Sequence, residues 1–152
     1  MGNSAKEILV VGKSGNVDIE LDPGDAGIVA EVNLGKGIPV ILDISGFLSE
    51  EQYEFLYNFF TVLWNLASKL RRPYVIALEE AQEFIPQGVK TPLKELLTLI
   101  ARRGRKRGLS VIIISQRTTL VDKNALTQAP IRFLHHVASG NDLEIYYDLI
   151  RT

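Results

Sequence analysis

The sequence predicts an α/β chain, a mostly parallel sheet with helices on both faces, and three observations carry that expectation. Apolar runs of strand length occur at 38–44, 74–78 and 109–114 without polar alternation, the habit of strands buried on both faces. Segments 50–70 and 92–103 repeat apolar residues at helical spacing, so strands alternate with helices and the sheet is expected to be parallel. Two of the runs end in polar residues, Glu79-Glu80 and Gln116, at the strand ends where open α/β sheets bind ligands.

In chain order, residues 8–11 read as a short strand and Val17-Asp18-Ile19-Glu20-Leu21 as a half-exposed one, with Gly12 to Asn16 a hairpin turn between them. The Gly12-Lys13-Ser14 triplet is not read as a phosphate loop. That motif needs a glycine at position 7, which is Glu7, and a helix afterwards, where a strand is expected. Asp22-Pro23-Gly24-Asp25 is a turn, and 26–34 supplies about two turns of helix. In the long helix at 50–70, Ser49 is the expected N-cap, with Gln52 completing a capping box. Acids at its start and Lys69, Arg71 and Arg72 at its end suit the helix dipole. Its apolar residues form two stripes, one through Tyr53, Leu56, Tyr57, Phe60, Leu63, Trp64, Ala67 and Leu70, the other through Phe55, Phe59, Val62 and Leu66. A wide core face and a partner subunit against the second stripe both account for them.

Further on, Phe84 to Gly88 is a loop, and Thr91 with Pro92 opens a helix whose inward face is Leu93, Leu96, Leu97 and Ile100. It closes in Arg102-Arg103-Gly104-Arg105-Lys106-Arg107, five cations in six residues. Asp122-Lys123-Asn124 belongs to a polar loop, 131–137 is a further strand, and a last helix turns Leu143, Tyr146, Tyr147 and Ile150 inward.

The chain's 152 residues suit one domain, and 46% hydrophobic with 23% charged residues is globular composition. Without cysteine there are no disulfides or thiolate metal sites. A net charge of −1 gives no global attraction to nucleic acid, so any basic patch is local. No apolar run reaches the length of a membrane span and the first residues lack a signal-peptide core, so a cytoplasmic chain away from membranes is expected.

Neighbouring carboxylates on a strand point to opposite faces, which disfavours a two-acid glycosidase site. Glu79 towards a magnesium ion and Glu80 towards a water is the division of labour that fits; two solvated acids at a strand end is the alternative. Gln116 is either a strand-end polar residue or an amide that orients phosphate and water. The basic cluster reads as a solvated helix end, a nucleic-acid patch, or a source of an arginine finger. His135 and His136 fall on alternate strand faces and are not a metal pair.

In order, Val75-Ile76-Ala77-Leu78-Glu79-Glu80-Ala81-Gln82, Arg103-Gly104-Arg105-Lys106-Arg107-Gly108 and Ile114-Ser115-Gln116-Arg117 resemble the second half of a HerA-type motor domain, of the HerA/FtsK branch of P-loop ATPases. Val40-Ile41-Leu42-Asp43-Ile44-Ser45-Gly46 and Leu126-Thr127-Gln128 add to the likeness, which covers about 38–150. It implies a three-layer RecA-like domain over 1–152 and a hexameric DNA translocase or helicase using ATP and Mg2+. It also implies roles: Glu79-Glu80 a Walker B pair with Glu79 at the metal and Glu80 catalytic, and Gln116 the phosphate sensor. Arg105, then Arg103, would be the finger into the next subunit's nucleotide, with Arg117 close to the nucleotide.

This chain departs from the pattern in Glu79, where P-loop enzymes more often carry Asp, and in Thr118, where Pro is common. No phosphate loop occurs in these residues, so the strand leading into it is missing and the expected sheet is incomplete. The expectation is a piece of a longer ATPase, inactive alone and holding no nucleotide tightly. Unpaired edges would then recruit rearranged pairing by an 8–21 hairpin, or self-association. The alternative is a non-catalytic nucleic-acid- or protein-binding module with a degenerate P-loop ATPase fold.

Overall fold

The computed structural model describes residues 8–135 and 140–151. They fall into two compact units that divide between Arg72 and Pro73.

In the first unit, β1 (Leu9–Gly12) lies between β2 (Ile19–Glu20) and β3 (Val40–Asp43). Both pairings are parallel, with Val11 opposite Ile19 and Leu42. The expected hairpin is therefore not formed. A hairpin would bring β2 back antiparallel. Instead residues 13–17 return the chain to the start of β1, where the Asp18 N–H donates to Val10 O at 2.8 Å and β2 runs forward again. The Asp18 carboxylate takes the Val10 N–H at 2.8 Å. Gly12 makes this path possible: it sits at φ +149°, and a Cβ there would lie 1.8 Å from the Asp43 carbonyl oxygen.

A single turn over Pro23–Asp25 leads into α1 (Ala26–Ala30), which widens into a π-helical turn at Glu31–Gly35. Against these packs α2 (Ser49–Leu70). Its cap lies one residue earlier than expected. Leu48 is the N-cap and its N–H donates to Glu51 Oε2 at 2.8 Å, while Gln52 Nε2 reaches back to Phe47 O at 3.0 Å. The helix stops at Arg71, in the left-handed region at φ 47°, two residues before Pro73. Tyr57 and Leu70 of the expected stripes are exposed, and the buried residues come from both: Phe55 and Phe59 from one, Leu56, Phe60, Leu63 and Ala67 from the other. They form one wide face, knit by ring contacts from Phe47 to Phe55 (5.4 Å) and from Phe59 to Phe60 (5.2 Å, edge-on).

The second unit holds β4 (Tyr74–Leu78) and β5 (Leu109–Ile113), paired in parallel from Tyr74 opposite Leu109 to Leu78 opposite Ile113. These strands are not buried on both faces, contrary to the reading of their apolar runs. Ile76, Leu78 and Leu109 are buried, while Val75 is 62% and Ile112 51% exposed. Side chains alternate along a strand, and no described residues cover the second row. Ile41 in β3 is 53% exposed for the same reason.

Thr91 caps α3 (Pro92–Arg103) by accepting from the Lys94 N–H at 3.1 Å. Leu93, Leu97 and Ile100 are buried, as expected; Leu96 is only half-buried. Residues 118–122 turn into the short α4 (Lys123–Leu126), capped by Asp122, whose Oδ1 accepts from Asn124 N at 2.9 Å. The expected strand at 131–137 is not observed over 131–135, which pair with no strand among the described residues; 136 and 137 lie outside them. In α5 (Gly140–Arg151) the inward residue is Leu149, whereas Leu143, Tyr147 and Ile150 are exposed. Among the described residues no helix is long and apolar enough to cross a membrane.

Candidate functional site

The parallel pairing of β4 with β5 brings their carboxyl ends side by side. The ladder runs on past both strands: Ile114 N donates to Leu78 O at 3.0 Å, and Ala81 N donates to Ile114 O at 3.0 Å. Glu80 sits between those bonds with φ 47° and ψ 46°, left-handed for a residue with a side chain. Such a conformation costs about 1–3 kcal/mol and persists where the surroundings enforce it, often at functional sites. Its result is directional. One strand residue further would point the carboxylate across the sheet; the left-handed turn swings it toward the end of β5.

There Gln116 Nε2 donates to Glu80 Oε1 at 3.2 Å, and Gln82 Nε2 donates to Glu80 Oε2 at 2.6 Å. Gln82 Oε1 accepts in turn from Ser115 Oγ at 2.6 Å, and Ser115 Oγ accepts from the Arg117 N–H at 3.0 Å. Both carboxylate oxygens of Glu80 are thus held by amides, and the chain of bonds ties the end of β4 to the end of β5. Gln82 and Ser115 were not singled out from the sequence as site residues. Their signal was their place beside Glu80 and Gln116 in the quoted motifs, but only the strand register makes them partners.

Glu79 is exposed and hydrogen-bonds to nothing among the described residues, leaving a hard oxygen ligand at the strand end. No group of three His, Cys, Asp or Glu side chains is placed to hold a metal among those residues. A magnesium ion here would therefore use one carboxylate with water and phosphate oxygens, the ordinary pattern for that ion beside nucleotides. The Arg117 side chain is exposed.

The cations of the cluster lie elsewhere. A turn over Gly104–Arg107 joins α3 to β5, closed by Gly108 in the left-handed region at φ 85°. Gly104 is pressed on the start of β5, where a Cβ would lie 3.0 Å from Leu109 Cβ. Arg103 and Arg105 are exposed at the amino end of β5, and Glu80 and Gln116 stand beyond its carboxyl end. Five strand residues rise about 17 Å, so these arginines and the Glu80–Gln116 pair of one chain do not meet.

Two further clusters came from the structure alone. Lys94 is buried, with Nζ donating to Asp122 Oδ2 at 2.6 Å and to the carbonyls of Pro86 and Val89 at 2.7 Å each. Burial alone would raise the Asp122 carboxyl, but Lys94 and the Asn124 and Ala125 amides outweigh it, and the group is held below its ordinary range. In the first unit, Asp43 accepts from Ser14 Oγ at 2.6 Å, Ser45 Oγ at 2.6 Å and Ser45 N at 3.1 Å, which lowers its carboxyl. His135 is exposed outside any strand, and His136 lies outside the described residues.

The fold matches the genome-packaging NTPase B204 of Sulfolobus turreted icosahedral virus 2, with a TM-score of 0.60 and 16% identity over 94% of this chain and 67% of that one. This is a P-loop NTPase fold, α/β and RecA-like with an incomplete sheet, as the sequence led one to expect. In sequence the chain is similar to proteins of the HerA type. It is 30% identical over 73 residues to the DNA double-strand break repair helicase HerA of Pyrococcus furiosus and 33% identical over 75 residues to that of Saccharolobus solfataricus. A probable helicase of Methanocaldococcus jannaschii is 40% identical over 57 residues. The HerA matches span 48% and 49% of this chain, and 13% and 15% of the relatives. No family model matches.

Proposed function

We propose that these residues are the carboxylate-and-sensor portion of an ATP-driven DNA translocase or helicase motor, one partial RecA-like domain that works in a hexameric ring. The observation that carries the reading is the left-handed Glu80, its carboxylate within 3.2 Å of the Gln116 amide at the ends of two parallel strands. Glu80 accepts a proton from the attacking water. Gln116 holds that carboxylate while the site is empty and turns its amide to the terminal phosphate when nucleotide arrives. Glu79, together with phosphate oxygens, would hold Mg2+, whose charge would offset that of the phosphates. Arg117 contacts the nucleotide from the same strand end.

The separation of Arg103 and Arg105 from that site within one chain favours a role in trans, with Arg105 the first choice and Arg103 the second. Fingers of that kind raise rates by about 10³–10⁵. Residues 1–152 alone, with no phosphate loop among them, are expected neither to bind ATP tightly nor to hydrolyse it.

Two measurements test this. Calorimetric titration of Mg-ATP into the 152-residue chain should detect no micromolar binding; a micromolar site would refute its inactivity. Expressed from its full open reading frame, the protein should hydrolyse ATP with stimulation by DNA. Glu80→Gln should cut kcat by about 10²–10⁴, the usual worth of a general base, with nucleotide affinity little changed. Wild-type turnover in Glu80→Gln would remove the carboxylate from the mechanism.

A further inference from the structure

Lys94 sits where a cation is least welcome. It lies in the first turn of α3, where the helix dipole favours acids, and it is buried, which lysine almost never is without a partner. A buried ion pair is a weak source of stability, and an apolar pair of similar volume often serves as well or better. What the ammonium supplies here is direction. All three of its donors are engaged, with Pro86 O and Val89 O at 2.7 Å each and Asp122 Oδ2 at 2.6 Å. The segments it draws together are the continuations of Glu80 and Gln116. Pro86 lies six positions beyond Glu80, and Asp122 six beyond Gln116. The first arm is bonded turn by turn, Glu83 N donating to Glu80 O at 2.9 Å and Ile85 N to Ala81 O at 2.8 Å. The second is built alike, with Leu120 N on Arg117 O at 3.1 Å and Val121 N on Thr118 O at 3.2 Å. The arms then meet antiparallel at Pro86 and Val121. Asp122 N donates to Ile85 O at 2.9 Å, Gln87 N to Leu120 O at 2.8 Å and Lys123 N to Gln87 Oε1 at 3.0 Å. Ile85 and Val121 are buried at the junction. The Lys94–Asp122 pair thus closes a clip whose far end is the Glu80–Gln116 hydrogen bond.

We propose that Lys94 and Asp122 are positioning residues: the clip they close holds Glu80 in its left-handed turn, with its carboxylate against Gln116. The proposal rests on Glu80 and Gln116 being the base and the sensor, and adds the device that sets their geometry. A left-handed glutamate persists only while its surroundings enforce it. Before Glu80, the chain is held by the ladder of β4 with β5. After it, past the bond from Ala81 N to Ile114 O, the clip fixes the turn over 81–85. Freed there, Glu80 returns to extended backbone and its carboxylate swings across the sheet, away from Gln116.

The test uses Lys94→Met combined with Asp122→Leu, which leaves neither charge unpaired and so keeps the chain folded. Native-state hydrogen exchange of the 152-residue chain reads local opening. In the double variant the Ala81 N–H should exchange at least about tenfold faster. The Tyr74 N–H, bonded to Gly108 O at the other end of the same strand pair, should be unchanged. In the protein expressed from its full open reading frame, kcat for ATP hydrolysis should fall about 10–10²-fold, as when a reacting group is misplaced by about 1 Å. KM for ATP should change little. Gln87→Ala removes an exposed strut of the clip without burying or baring a charge, and should give the same changes at a few-fold. Wild-type exchange at Ala81 with wild-type kcat in both variants would overturn the positioning role. Faster exchange confined to the Gln87 and Asp122 amides, equal acceleration at Tyr74 and Ala81, or a raised KM with kcat intact would overturn it too, since a purely structural pair gives those results. Normal turnover in Glu80→Gln would instead remove Glu80 from the chemistry, and exchange at Ala81 would still decide whether the clip holds it in place.

Discussion

Glu80 and Gln116 are 36 residues apart in sequence and 3.2 Å apart in space, joined through an amide hydrogen bond at the ends of β4 and β5. The bond is exposed, so its own contribution to stability is small, on the order of 0.5–1.5 kcal/mol. Its value is positional: together with Gln82 it fixes both oxygens of one carboxylate.

Positive φ allows a comparison between two residues. Arg71 and Glu80 both sit at φ 47°. Arg71 merely ends α2, so Arg71→Gly should relieve left-handed strain and raise stability by about 0.5 kcal/mol, after the entropy that glycine adds to the unfolded chain. Glu80→Gly should be stability-neutral or better in urea titrations while removing ATPase activity from the full protein. A loss above about 2 kcal/mol in Glu80→Gly would show that the carboxylate is structural.

The Lys94–Asp122 pair is expected to behave as a buried ion pair. Lys94→Ala leaves Asp122 without its cation and should cost about 3–5 kcal/mol in chemical denaturation. Lys94→Met combined with Asp122→Leu should cost much less, because neither charge remains unpaired. Equal losses in the single and double variants would contradict the coupling.

Acid should act through the same group. Asp122 is held below its ordinary carboxyl value of 3.8, so the folded chain binds its proton less readily than the unfolded chain. The stabilisation is complete above about pH 4 and disappears as pH falls through the lower folded value. The urea midpoint should therefore decline below pH 4, with a shallower decline in Asp122→Asn.

At the other extreme, burial pushes the Tyr74 phenol up to about 12. The folded chain then holds that proton more tightly than the unfolded one. Stability is full below about pH 10 and falls as pH rises toward 12. Ultraviolet titration should show one of the five tyrosines ionising last, and Tyr74→Phe should abolish that step.

Two glycines pin the strand ends of the first unit. A Cβ on Gly12 would meet Asp43 O at 1.8 Å, and one on Gly46 would meet Lys13 O at 1.9 Å. Both obstacles are backbone. Gly46→Ala should therefore cost at least about 3 kcal/mol, whereas Gly15→Ala, with nothing within 4 Å, should lie within about 0.5 kcal/mol of wild type.

Much of this was legible in the chain itself. Thr91-Pro92 announced α3, apolar runs announced β3, β4 and β5, and the breadth of the α2 face followed from its two stripes, since all are set by local spacing. The parallel return of β2 was not legible, because the turn chemistry of residues 12–16 suits a hairpin and the close approach of Gly12 to Asp43 decides otherwise. Lys94 gave no sign of burial either: its partner, 28 positions away in Asp122, becomes a neighbour only when loop 84–90 folds over α4. The strand expected at 131–137 had the composition, but over 131–135 it has no adjacent ladder among the described residues.

By itself, then, the sequence determined the alternation of strands and helices, the acid doublet after β4, the glutamine after β5 and the cations between, because each depends on residue type and short-range period. Only the tertiary structure decided which of them meet. Parallel register puts Glu80 against Gln116 and Gln82 against Ser115, and the length of β5 keeps Arg103 and Arg105 away, since side chains far apart in sequence become neighbours only through the packing of the backbone between them.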